Sequence, residues 1–142
     1  MRIHVIAVGR LRERGFRELA DDYLGRIRRW VRCDEIEVKS GSGLGPRIPE
    51  GSWVVALEVA GTALDSPGFA RRLERWGSRG KGEIAFLIGG ADGIPAELSA
   101  RADARLSLSS LTLPHRLVRV VLFEQIYRGL SIQRGEPYAR EE

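Results

Sequence analysis

Glu83-Ile84-Ala85-Phe86-Leu87-Ile88-Gly89-Gly90-Ala91-Asp92-Gly93 is the stretch whose reading decides the fold. An apolar run of strand length feeds directly into three glycines. Ala104 to Leu108 repeats the arrangement, running into Ser109-Ser110-Leu111-Thr112-Leu113 and closed by Pro114. Ligands of open α/β sheets sit just beyond the carboxyl ends of the strands. Two such ends within residues 83–115 predict both a sheet architecture and the place of a small-molecule site.

Working outward, Ile3 to Val8 is a continuous apolar run ending at Gly9, which suits a central parallel strand. A helix follows, with Phe16, Leu19, Ala20, Tyr23, Leu24, Ile27, Trp30 and Val31 inside an arc of about 140°. Asp34 to Val38 and Trp53 to Leu57 read as further strands, the second ending at Glu58 before a turn near Gly61. Between them, Gly41, Gly43, Gly45, Gly51, Pro46 and Pro49 predict a flexible connection without helix or ladder. Asp65 or Ser66 caps a helix with Pro67 at its start and Phe69, Leu73 and Trp76 on its inner side. A short helix from Pro95 leads to the strand at 104–108. The fold class is therefore α/β, a single domain over residues 1–142 with a mainly parallel sheet and a tail at 133–142.

The helix after Pro114 has a different pattern. Leu117, Val118, Val120, Val121, Leu122, Phe123, Ile126, Tyr127 and Leu130 leave no free sector wider than about 60°. A helix apolar all round must be covered all round, and a sheet covers one side. This predicts a homodimer through the helix at 115–131.

The chain has 142 residues and a net charge of +4. Its first part is more basic, with nine arginines against four acids from Arg2 to Arg32. Such a surface suits an anionic partner such as nucleic acid, although an arginine-rich composition gives the same count. No apolar run is long enough to span a membrane. Cys33 stands alone, so no intrachain disulfide forms, and the cytoplasm is the expected compartment.

The chemistry-bearing residues are few. Gly89-Gly90-Ala91-Asp92-Gly93 lacks the Gly-x-Gly-x-x-Gly spacing of dinucleotide sites, and no phosphate-binding P-loop sequence occurs. Its glycines permit bare backbone to face a ligand, or simply a tight turn. The segment Ser107 to Leu113 can present main-chain groups to a nucleobase between Leu111 and Leu113. His115 is a candidate base or phosphate contact, or equally a packing residue, and His4 reads as a core residue. Two distant histidines and one cysteine give no metal-ligand spacing, so no metal is expected. In the tail, Tyr138 and Arg140 are either frayed or able to stack on and orient a base or phosphate.

Ala-Val-Gly at 7–9, Phe-Leu-Ile-Gly-Gly-Ala-Asp-Gly at 86–93 and Leu-Ser-Leu-Ser-Ser-Leu-Thr-Leu-Pro-His at 106–115 resemble one family. So do Val-Arg-Val-Val-Leu-Phe-Glu-Gln-Ile-Tyr-Arg at 118–128 and Gly-Glu-Pro-Tyr at 135–138. The family is that of ribosomal RNA large subunit methyltransferase H, in the SPOUT class. The resemblance covers nearly the whole chain. It implies a C-terminal trefoil knot, a homodimer, and S-adenosylmethionine as methyl donor to N3 of a pseudouridine. The acceptor would lie in a hairpin loop of 23S ribosomal RNA in the assembled ribosome. By motif, the donor would contact Leu57, Gly89, Leu108, Ser109, Ser110, Leu111, Thr112 and Leu113. On the acceptor side the candidates are Tyr138 for stacking, Arg140 for the target's backbone or its anionic base, and His115.

This sequence departs from the family in two places. Ala139 stands where relatives commonly have histidine after Pro-Tyr, and residues 39–52 are shorter than usual. The first leaves the acceptor of the N3 proton unassigned, and the second bears on RNA docking. Two other readings remain: a catalytically impaired ribosome-binding or assembly factor, and a nucleotide-binding module unrelated to RNA.

Overall fold

The computed structural model describes residues 1–140. Five parallel strands, β1 (Arg2–Val8), β2 (Arg32–Val38), β3 (Trp53–Ala63), β4 (Glu83–Ile88) and β5 (Ala104–Ser107), lie in the order β2-β1-β4-β3-β5. Among the described residues, α1 (Arg14–Ile27), α2 (Ser66–Arg79) and α3 (Ala96–Arg101) lie between strands, and α4 (His115–Arg134) follows β5. Strand side chains alternate between the two faces. Ile3, Val5, Phe86 and Ile88 belong to the core shared with α1, α2 and α4, whereas Ile6, Ala85 and Leu87 belong to the opposite core. Both faces of β1 and β4 are covered, which is why these strands read as unbroken apolar runs.

Local sequence accounts for most element ends. The Asp65 carboxylate accepts from the Gly68 N–H at 2.8 Å and caps α2, with Pro67 in the first turn. The first long helix stops at Ile27, earlier than its apolar stripe suggests. Trp30 and Val31 instead fold inward through a turn closed on the Ile27 carbonyl. His4 is a core residue whose ring bonds the Glu83 carboxylate at 2.9 Å.

Four expectations change. The stretch 40–51 is not a loose connection. It holds two 3-10 turns, Gly41–Gly43 and Gly45–Arg47, each closed by i→i+3 bonds that glycine and proline tolerate. Its single leucine, Leu44, is fully buried against Ile6, Ala85, Leu87 and Leu98, and α3 is too short to cover that face alone.

The third strand does not stop at Leu57 but runs on to Ala63. Leu106 of β5 pairs in parallel with Leu57 and again with Thr62. The ladder therefore shifts register between Leu57 and Thr62, and residues 58–61 leave it close against β5. A Cβ on Gly61 would stand 2.8 Å from the Arg105 and Leu106 backbone, and only glycine fits that approach.

The tail is not frayed. Gly135 ends α4 at φ +70°, with Glu136 N–H donating to Ser131 O and Gly135 N–H to Ile132 O, a Schellman turn. The turn sends the 3-10 segment Pro137–Arg140 back onto α4.

Finally, most of the apolar surface of α4 is covered within the chain. Both α1 and α2 pack against it in addition to the sheet, and the returning tail covers part of the rest. Leu117 and Val121 remain only half-buried.

Candidate functional site

The end of β3, the end of β5 and the loop leading into α4 enclose a cleft. Its walls are Leu57, Glu58 and Val59, then Leu106, Leu108, Ser109, Leu111 and Leu113, with Val118 from the first turn of α4. Its cavity volume is ≈ 90 Å³, below the about 300–1,000 Å³ of fully formed small-molecule sites, so in the single chain the cleft is narrow. The register shift of β3 against β5 brings residues 57–59 opposite the loop. The sequence marked Leu57, Leu108, Ser109, Leu111 and Leu113 for this role, and the fold brings them together.

The loop is held by its own serines. Ser107 Oγ donates to the Ser109 carbonyl at 2.9 Å, and Ser109 Oγ accepts from the Leu111 N–H at 2.9 Å. These bonds set the backbone before any ligand arrives. Leu111 is 73% exposed, so the outer wall is an apolar side chain standing in solvent. Ser110 and Thr112 are exposed and lie outside the lining.

Glu58, Val59, Leu106 and Val118 are cleft residues that sequence reading missed. Glu58 matters most chemically, because its Oε1 is sealed from solvent and has no hydrogen-bond partner among the described residues. A clue was available: an acidic residue directly after an apolar strand, at the carboxyl end where ligands bind.

Gly89 is elsewhere. A Cβ there would be 2.4 Å from the Gly93 carbonyl carbon, and Gly93 N–H closes the turn on Gly90 O at 3.0 Å. The turn itself explains the glycine, and the residue does not line the cleft. His115 is exposed at the start of α4, two positions after the lining residue Leu113, and is also outside the lining.

Tyr138 and Arg140 are not at this cleft. Tyr138 OH donates to the Glu124 carboxylate at 2.8 Å and lies 3.3 Å from Tyr23 OH. Its ring meets Tyr127 edge-on at 4.7 Å, with the Arg128 guanidinium 5.1 Å from its centroid. Burial first, then the bonds to Tyr23 and Glu124, hold this phenol well above its ordinary range, so it stays protonated. Glu124 is six residues along α4 from Val118, about 9 Å along the axis. The tail is therefore docked on the far part of the helix of its own chain.

A second cleft lies at the carboxyl ends of β1 and β2, lined by Gly9, Arg10, Arg12, Glu37, Val38 and Lys39. Beneath it, Arg119 of α4 is 2% exposed. Its guanidinium pairs with Glu35 at 3.0 Å and with Glu37, and donates to the Gly9 carbonyl at 3.0 Å. Burial would raise the Glu37 carboxyl, but the Leu11 N–H, Arg119 and Arg17 together bring it below the ordinary range. The one charge in the otherwise apolar run 117–123 was the sequence signal for this network.

Comparison with known proteins identifies the family. A family model described as a predicted SPOUT methyltransferase matches residues 1–139. A ribosomal RNA large subunit methyltransferase H of Sorangium cellulosum is 58% identical over 98% of this chain and 99% of its own length. Its counterpart in Roseobacter denitrificans is 44% identical over 99% of both. A solved probable methylase family protein from Haemophilus influenzae shares the fold at 11% identity, with a TM-score of 0.63 over 96% of this chain and 69% of its own. Matched end to end by model and relatives alike, the chain belongs to the SPOUT methyltransferases, within the ribosomal RNA large subunit methyltransferase H family.

Proposed function

We propose that this protein transfers a methyl group from S-adenosylmethionine to N3 of a pseudouridine in a hairpin loop of 23S ribosomal RNA. The substrate is the assembled ribosome, and the compartment is the cytoplasm. The observation that carries this reading is the cleft between β3 and the end of β5, which gathers Leu57 and the loop 108–113. The residues fit the donor. Leucines on facing walls suit a flat adenine, main-chain groups of a serine-pinned loop suit its edge, and the Glu58 oxygen lacks a partner among the described residues.

The donor supplies an activated methyl when bound, so the protein's task is alignment and exclusion of water. Leu108, Leu111 and Leu113 wall the site, and Ser107 and Ser109 hold their backbone. The imide N3 must give up its proton. Tyr138, held protonated, does not accept it within its own chain. His115, beside the cleft at the exposed start of α4, is the candidate acceptor in place of the histidine that Ala139 replaces. Arg10, Arg12 and Lys39 offer cations to the RNA backbone at the neighbouring strand ends. Gly89 shapes the adjoining turn.

Two structural refinements belong to this reading. The close passage of residues 58–61 against β5 accords with a trefoil knot. The exposed Val59 and Leu111, with half-buried Leu117 and Val121, support a homodimer through the first half of helix 115–131. Arg140 is exposed, and its role toward the target is tested in the assembled protein.

The test is transfer of labelled methyl from S-adenosylmethionine to unmodified ribosomes and, separately, to naked large-subunit RNA. Incorporation at a pseudouridine N3 is the expected result, with ribosomes the better substrate. The placement of Tyr138 away from the cleft and the presence of Ala139 favour the second reading, a non-catalytic ribosome-binding factor. Absence of incorporation, with donor and ribosome binding intact, would establish that alternative.

A further inference from the structure

Glu58 stands out because, among the described residues, it is the one charged side chain lining the cleft. Among those residues its Oε1 is shielded from solvent and unpartnered, and no Lys, Arg or His lines the cleft with it. The surrounding walls are apolar apart from Ser109. A carboxylate in such a setting is costly unless something positive or hydrogen-donating answers it. Screening is also weaker there than in water, so a ligand's own charge counts for more.

We infer that Glu58 is the charge-selective residue of the cleft, pairing with the cationic form of the donor and discriminating it from the spent product. The inference rests on the donor reading above. S-adenosylmethionine carries a sulfonium and an ammonium against one carboxylate, a net single positive charge. S-adenosylhomocysteine has lost the sulfonium charge and is neutral overall. The two share the adenine, the ribose hydroxyls and the amino-acid end. A carboxylate without a protein counter-ion therefore favours the donor over the product and loosens its grip once the methyl has left.

Calorimetric titration of both nucleosides into the wild type, Glu58→Gln and Glu58→Asp tests this. The unliganded melting temperature serves as the folding control. Glu58→Gln is expected to weaken S-adenosylmethionine about tenfold, as for loss of a charged hydrogen bond. S-adenosylhomocysteine should change less than about twofold, and Glu58→Asp should keep the donor-over-product ratio. Equal weakening of both nucleosides by Glu58→Gln would overturn the inference and assign Glu58 to a group the two share, such as a ribose hydroxyl. An unchanged ratio with no weakening would also overturn it, leaving the donor reading intact. If the folded wild type binds neither nucleoside, the donor reading fails and the inference falls with it.

Discussion

Two neighbouring rims of one sheet solve the same problem differently. At the ends of β1 and β2, the carboxylates of Glu35 and Glu37 are answered by Arg119 and Arg17. At the ends of β3 and β5, the Glu58 oxygen is left unanswered among the described residues within a wall of leucines. The carboxylates of the first rim are paired by folding, although Arg119 Nε stays buried without a partner among the described residues. On the donor reading proposed above, a ligand answers the second. The first turns of α4 join them, because Val118 faces the second rim and Arg119 is buried at the first.

The largest effect tests the paired rim. Arg119→Met leaves two carboxylates facing each other and is expected to cost about 3 kcal/mol, as for breaking one side of a buried ion pair. Urea denaturation measures this, and an unchanged midpoint would remove the network's structural role. Gly61→Ala attacks the second rim. Its Cβ would strike the β5 backbone at 2.8 Å, so about 2 kcal/mol of overpacking is expected, with marked loss of donor affinity. Retained affinity at lowered stability would separate the register shift from the cleft.

Glu37→Gln is expected to cost about 1.5 kcal/mol at neutral pH, the loss of charged hydrogen bonds. The Glu37 carboxyl is held below its unfolded value, so its stabilisation is present above the ordinary carboxylate range. It is lost as pH falls through the lower folded value. Wild type and variant should therefore converge in acid, which denaturation curves across pH 3–7 would show on the order of that range. Tyr138→Phe gives the smallest change, about 1 kcal/mol for the bond to Glu124, with donor affinity unchanged. A fall in methyl transfer at constant donor affinity would show that the tail serves the acceptor in the assembled protein.

Much of this was legible in the chain. Continuous apolar runs marked the buried strands, Asp65 and Pro67 marked the start of α2, and the serine-leucine loop marked one wall of the cleft. What was hidden depends on contacts distant in sequence. Nothing in residues 58–61 says that they lie close against a strand made of residues 104–107, so β3 read as ending early. Leu44 sits among glycines and prolines, and only the uncovered second face of the sheet explains its burial. Arg119 finds its acids more than eighty residues away. The tail was different: it read as frayed or base-stacking, and nothing in it named the helix it folds back upon.

The register shift at Gly61 also has a history in time. Leu57 and Thr62 are synthesised well before the Leu106 that both must embrace. At about 5–20 residues per second, the intervening chain takes on the order of seconds to emerge. During that interval residues 58–61 must stay open, neither collapsing onto the sheet nor pairing with another strand. A nascent chain that settles residues 58–61 before β5 arrives must open them again to admit Leu106.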